Sequence, residues 1–264
     1  MHDSEAGTLP LGNGEFLAYR RRAGAKDGPT VVFLCGFKSD MTGSKATALD
    51  DFCRARGIAF LRFDYSGHGA SSGDFLDGTL SRWTEDALAV IDNLTRGPLV
   101  LVGSSMGGWI MLLVALQRRE RITGLIGVAA APDFTEELIW RTLPAEQRIR
   151  LMKEGRLAQP SEYSAEPTVI TRALVEDGRR HLLLHGAIAI EAPVRLLHGM
   201  ADPDVPYRQS LRLAEKMAAR DIVVTLVKDG DHRLSRPEDL ARLCGLVEAM
   251  VQSPAFSSAR NPSR

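Results

Sequence analysis

The stretch that most restricts how this chain can fold is LVLVGSSMGGWIML, residues 99–112. An apolar run breaks into Gly103, Ser104, Ser105, Gly107 and Gly108 and resumes at once. Inside a helix or strand, each glycine costs roughly 0.5–1 kcal/mol relative to alanine. Clustered between two apolar segments, they point to a tight strand-to-helix turn in which backbones approach closely. Gly103-Ser104-Ser105-Met106-Gly107 fits G-x-S-x-G. In that pattern the central serine stands at the tip of a strained turn, and bulky residues two positions to either side would collide. A helix opening at Met106 aims free N–H groups and a positive dipole end at the serine oxygen. Taken alone, the pattern also fits close packing of a helix on a strand with no chemistry attached. Ser104 lies off-centre and reads as support for the turn.

The surroundings favour an α/β fold. Six short apolar runs read as strands: residues 30–35, 58–65, 99–104, 122–130, 194–200 and 222–228. Amphipathic helical patterns separate them, with Gly57 and Gly97 as stops. Near-continuous apolar strands alternating with helices predict a mostly parallel sheet covered on both faces. Ser235 and Glu238 are spaced as a capping box for a last helix.

From 133 to 191 the rhythm fails. No strand signal is present, only helical segments broken by Pro144, Pro160, Pro167 and Gly178. Residues 134–190 are therefore expected to form a helical cap inserted in a core made of 15–133 and 191–252. Trp140, Leu143, Ile149, Leu151 and Met152 give the insertion apolar faces. The stretches 1–14 and 253–264 read as flexible termini.

Bulk composition excludes several classes. Lys plus Arg and Asp plus Glu both number 33, a formal net charge of zero. A nucleic-acid binder would show a basic footprint, which is missing. Three scattered cysteines suit reduced thiols rather than a disulfide framework. No apolar run approaches the ~20 residues that span a bilayer. The N-terminus is acidic and carries no signal-like stretch. These features predict a cytoplasmic protein, monomer or homodimer, acting on a small molecule or an acylated protein.

A serine hydroxyl needs a base, and the base needs an orienting acid. Both follow in the chain order Ser, Asp, His. Asp202 lies in the loop after the strand at 194–200, and His232 in the loop after the last strand. Loops at the carboxyl ends of strands are where open α/β sheets bind ligands. Asp204 is the nearest rival to Asp202, and Asp231 reads as a turn residue. Among the other histidines, His198 reads as packed at a strand end and His68 as shaping a glycine-rich loop. His181 and His185 belong to the insertion. An oxyanion hole needs two preset donors. The Met106 N–H is one; the Phe37 N–H, after Gly36 in the loop following the first core strand, is the other. Trp140 and Lys38 are weaker substrate-contact candidates, Lys38 through attraction of an anion.

Together GSSMGG, DYSGHGASSG, HGMADPDVP and DHR resemble the α/β-hydrolase superfamily across roughly residues 28–250. Within it, FCRARGIAFLRFDYSGHGASSG, LVGSSMGGW, LLHGMADPDVP and DHR are most similar to the mitochondrial palmitoyl-protein thioesterase and acyl-glucuronide esterase family. The resemblance implies the α/β-hydrolase fold with Ser105, Asp202 and His232 as catalytic triad. It also implies hydrolysis of fatty acyl thioesters or activated carboxylic esters, with no metal and no organic cofactor. Placed after the strand that follows the elbow, the insertion implies a lid forming an acyl pocket. Carbon–carbon bond hydrolases, perhydrolases and non-catalytic ligand-binding members share the motif set and stay open as alternatives.

Overall fold

The computed structural model describes residues 4–12, 14–26, 28–160 and 167–252. The chain opens with β1 (Glu5–Pro10) and β2 (Phe16–Arg22), paired antiparallel with Thr8 opposite Ala18. Residues 5–10 were expected to be flexible and instead form the sheet edge. The physical reason is that an edge strand is held by backbone pairing. Most of the β1 side chains are exposed, so no apolar alternation marks it. The stretch 253–264 lies outside the described residues.

The six expected strands follow, beginning with β3 (Thr30–Leu34). Helix α1 (Ser44–Arg56) leads to β4 (Ala59–Phe63), and α2 (Leu80–Leu94) to β5 (Leu99–Ser104). Helix α3 (Met106–Gln117) then leads to β6 (Ile122–Val128). Sheet order is β1-β2-β4-β3-β5-β6-β9-β10; the first two pairings are antiparallel and the rest parallel. The last two strands are β9 (Val194–Gly199) and β10 (Ile222–Val227).

Strand β5 is central, and every one of its residues is buried. Helix α3 is buried from Met106 through Ala115, an apolar surface all round. A helix of that kind belongs in a protein interior, which explains why the elbow serine is carried between the two most enclosed elements of the core. Helices α1 and α7 (Pro237–Val251) pack together, as do α2 and α3, and the two pairs flank the sheet. Helix α7 starts without the expected capping box. Pro237 opens it, and Ser235 Oγ donates to the Arg233 carbonyl instead.

The insertion after β6 holds a π-helical turn (Thr135–Trp140) and α4 (Ala145–Glu154). Then come two short antiparallel strands, β7 (Arg156–Gln159) and β8 (Thr168–Thr171), and α5 (Arg172–Gly178). The strands correct the expectation of helices alone. At four residues each and half-buried, they are too short to show an apolar period. Leu143, Leu151, Leu157, Ile170 and Val175 form a small core. Phe37, from the loop after β3, packs against that core together with Ile139 and Trp140, so the insertion does not pack only on itself.

Polar clamps fix its base. Asp133 accepts the N–H groups of Leu183 at 2.8 Å and Leu184 at 2.9 Å, joining entry to exit. Asp177 accepts both the N–H and the hydroxyl of Ser81 on α2, at 2.8 and 2.7 Å. The Trp109 indole donates to the His181 carbonyl. Helix α6 (Arg208–Lys216) adds Gln209, whose amide donates to the Pro132 carbonyl.

Candidate active site

Ser105 sits between β5 and α3 with φ 53° and ψ −119°. That region favours glycine over any L side chain, because Cβ crowds the carbonyl there. Backbone bonds hold it in place. The Ser105 N–H donates to Val128 at 2.9 Å, and its carbonyl accepts from Gly108 at 2.9 Å and Ala131 at 3.1 Å. The flanking glycines are needed for clearance. A Cβ on Gly103 would lie 2.7 Å from the Gly107 carbonyl carbon, and one on Gly107 only 2.5 Å from the Cys35 carbonyl oxygen.

Three loops at the carboxyl ends of their strands converge on this turn. His232, after β10, places Nε2 3.1 Å from Ser105 Oγ, and its Nδ1 lies 2.8 Å from Asp202 Oδ2, after β9. The other Asp202 oxygen accepts the N–H groups of Asp204 at 2.9 Å and Val205 at 2.8 Å. Asp204 itself is exposed, with its carboxylate within 4.8 Å of the same histidine, while Asp202 makes the hydrogen bond to Nδ1. Burial pushes the Asp202 carboxyl upward. The bonds from His198, His232 and Val205 outweigh it and hold the group well below the usual carboxylate range. Asp202 is therefore ionised and can accept a proton-bearing Nδ1, which leaves Nε2 as the lone-pair side toward Ser105.

The His232 loop is anchored from α1. Lys45 Nζ donates to the Arg233 carbonyl at 2.5 Å, and Ser44 Oγ bonds Ser235 Oγ at 3.0 Å. Burial lowers the Lys45 ammonium to about 8. Asp231 accepts the Leu234 N–H at 2.9 Å, a turn role. The Asp202, Asp204 and His232 side chains offer atoms within 4.8 Å of one another. The His232–Asp202 hydrogen bond and the Asp204 N–H bond to Asp202 draw the three residues together.

The loop after β3 borders the serine. A Cβ on Gly36 would touch the Ser105 Cβ at 3.4 Å. This puts the Phe37 backbone beside the elbow, while Met106, as the first residue of α3, has no acceptor for its N–H within the helix. The Phe37 ring packs on Phe75 at 4.9 Å and on Trp83 and Phe134 at 5.9 Å. Asp64 and Arg62 hold the Met41 N–H and carbonyl farther along the same loop.

The contacts of the two weaker candidates are with the insertion. Lys38 Nζ reaches the cap, 3.4 Å from the Pro167 carbonyl, and so tethers loop to cap. Trp140 lies beneath the Arg179 guanidinium at 4.6 Å and lines a depression of about 590 Å³ with Ala145, Arg148, Ile149, Met152 and Lys153. Trp140 also packs, with Phe37, against the small core of the insertion. His68 is buried among Tyr65, Phe75 and Trp83, as a loop-shaping residue would be. One functional contact is unexpected. His198, fully buried, brings Nε2 to 3.2 Å from Asp202 Oδ2. Its four-residue spacing from Asp202 was the available signal.

Comparison with known proteins agrees with this architecture. The model of the alpha/beta hydrolase family matches residues 31–243. Mitochondrial palmitoyl-protein thioesterase ABHD10 of Mus musculus is 39% identical over 236 residues, 89% of this chain and 78% of that protein. The Homo sapiens protein is 39% identical over the same share of this chain and 76% of its own length. A putative hydrolase from Agrobacterium vitis S4 superposes with a TM-score of 0.90 at 47% identity, covering 95% of this chain and 99% of that one. Mouse ABHD10 superposes with a TM-score of 0.87 at 37% identity, covering 94% and 98%. The ABHD10 relatives are mitochondrial and so lend no support to a cytoplasmic location. Among the described residues no helix is long and apolar enough to cross a membrane. The chain belongs to the alpha/beta hydrolase family, in the branch that includes ABHD10.

Proposed function

We propose that this chain is a serine hydrolase of acyl esters and thioesters, working through Ser105, His232 and Asp202 and an acyl-enzyme intermediate. One observation carries the proposal: an elbow serine in line with His232 at 3.1 Å, itself in line with a buried carboxylate at 2.8 Å. His232 Nε2 takes the Ser105 proton as Oγ bonds to the acyl carbon. The carbonyl electron pair moves onto oxygen, where the Phe37 and Met106 N–H groups donate to it. The bond to the leaving sulfur or oxygen then breaks, and His232 returns the proton to that atom. Water completes the cycle: His232 takes its proton, the oxygen attacks the acyl-serine, and the free acid leaves as Ser105 is reprotonated. Asp202 holds the imidazole in the tautomer each step needs.

The substrate class we assign is a fatty acyl thioester, of the kind the ABHD10 relatives' name describes. The apolar cap cluster that meets Phe37 supports a chain lying between cap and elbow. Measuring kcat/KM for acyl thioesters and oxygen esters from about two to sixteen carbons tests this. A maximum at long thioesters supports it. A maximum at short, aromatic or glucuronide esters moves the assignment to general carboxylesterase. Wild-type rates from Ser105→Ala would remove the triad altogether, as would failure of a fluorophosphonate probe to label Ser105.

A further inference from the structure

His198 is wholly enclosed, and the serine-hydrolase mechanism above gives it no role. Its ring is nonetheless held at both nitrogens. Nδ1 lies 2.7 Å from Ser210 Oγ on α6. Nε2 lies 2.9 Å from the Val205 carbonyl and 3.2 Å from Asp202 Oδ2. Neither a carbonyl nor an ionised carboxylate can donate, so the proton between them belongs to Nε2. In the neutral ring Nδ1 must then accept, and the Ser210 hydroxyl, itself buried, is the donor. Ser210 thus selects the tautomer in which His198 presents a proton to Asp202.

The Asp202 carboxylate consequently meets four N–H groups. Two backbone donors, Asp204 and Val205, engage Oδ1, while His232 and His198 share Oδ2. We propose that His198 is a positioning residue of the triad. Together with Ser210 it fixes which Asp202 oxygen faces His232 and shares the negative charge on Oδ2 that His232 would otherwise meet alone. The chain of contacts runs Ser210, His198, Asp202, His232, Ser105. Asp204, whose carboxylate lies near His232, is a further charged group beside the pair, and Asp231 and Arg233 flank His232 in the chain.

The proposal rests on the serine-hydrolase mechanism, and paired amide variants keep the two separable. A glutamine amide nitrogen stands where His198 Nε2 stands and offers two protons, one for Val205 and one for Asp202. An asparagine amide nitrogen corresponds to Nδ1 and falls short of Asp202. His198→Gln should keep kcat within about threefold of wild type. His198→Asn should lower kcat about 10- to 100-fold, the scale set by misplacing a reacting group, with KM nearly unchanged. In His198→Asn the acid limb of the kcat/KM profile should also move to higher pH, because an Asp202 charge shared with fewer donors binds the imidazolium form of His232 more tightly. Urea unfolding of both variants checks that each is folded.

If Ser105→Ala is inactive while His198→Asn keeps the wild-type kcat and acid limb, the positioning role is refuted and the triad stands. Equal loss in His198→Gln and His198→Asn, with an unmoved acid limb, also refutes it, since that pattern marks packing alone. Should both variants fail to fold, nitrogen NMR of the wild-type ring decides: protonation at Nδ1 rather than Nε2 at neutral pH overturns the proposal, and protonation at Nε2 supports it.

Discussion

Replacing Ser105 by glycine and, separately, by alanine isolates the strain stored at the elbow. Both variants lose the hydroxyl and with it the nucleophile, so both should be inactive. They differ only in Cβ. At φ 53° and ψ −119° an L residue carries roughly 1–3 kcal/mol of conformational strain. Alanine keeps that strain and glycine releases it. Against this, glycine gains freedom in the unfolded chain, a loss of about 0.5–1 kcal/mol on folding relative to alanine. At mid-range values the balance leaves Ser105→Gly about 1 kcal/mol more stable than Ser105→Ala, or roughly 2–4 °C in Tm for a domain of this size. Urea denaturation followed by circular dichroism, with calorimetry on the same samples, measures the difference. At an unstrained position the sign reverses, with alanine the more stable by about 0.5–1 kcal/mol. An alanine variant equal to or more stable than the glycine variant would therefore refute the claim that folding forces the backbone to hold the serine at the tip.

Asp202→Asn presents an amide N–H to His232 Nδ1, pushing the ring into the tautomer that cannot take the Ser105 proton; kcat should fall by about 10⁴. Tm at neutral pH should fall as well, because the donors that hold the Asp202 carboxyl below its usual range stabilise the folded state only while it is ionised. Asp86, buried beneath the Ser66 N–H and hydroxyl, is raised by burial to about 6. Its folded form thus holds a proton that the unfolded form gives up near 4, so stability falls as pH rises from 4 to 6. Asp86→Asn should flatten that slope in Tm-against-pH scans and gain up to about 3 kcal/mol above pH 6; an unchanged slope contradicts the assignment. Ser81→Ala removes the hydroxyl that α2 gives Asp177 and leaves the backbone N–H donor in place, at a cost of about 1–3 kcal/mol. Hydrogen exchange should quicken in α5 before it does in β5, and uniform quickening would show that the clamp does not act on the cap.

The parts of this molecule visible in the sequence are those where one residue's side chain reports its own surroundings. Strand β5 and helix α3 are buried nearly throughout, so their composition announces them. Gly103 and Gly107 announce the elbow because backbone stands where their Cβ atoms would be. Asp202 and His232 were legible because chain order and strand-end loops leave few alternatives. Edge strand β1 and the β7–β8 pair were not. Their stability comes from backbone pairing, which leaves no trace in side-chain type.

What stayed hidden at the site is relational. His198 reads from sequence as a packed histidine, and packed it is. Whether a packed histidine matters depends on what its ring nitrogens meet, and those partners come from α6 and from the loop four residues on. Lys38 shows the converse. Its charge suggested attraction of an anion, yet its amine ends at the Pro167 carbonyl, a destination 129 residues away in sequence. Residue type therefore located the reacting atoms, while the groups that orient Asp202 and secure the cap emerged only once the strands were aligned. Substitutions at Ser210, His198 and Ser81 are accordingly the informative ones, since they alter orientation and leave Ser105, His232 and Asp202 in place.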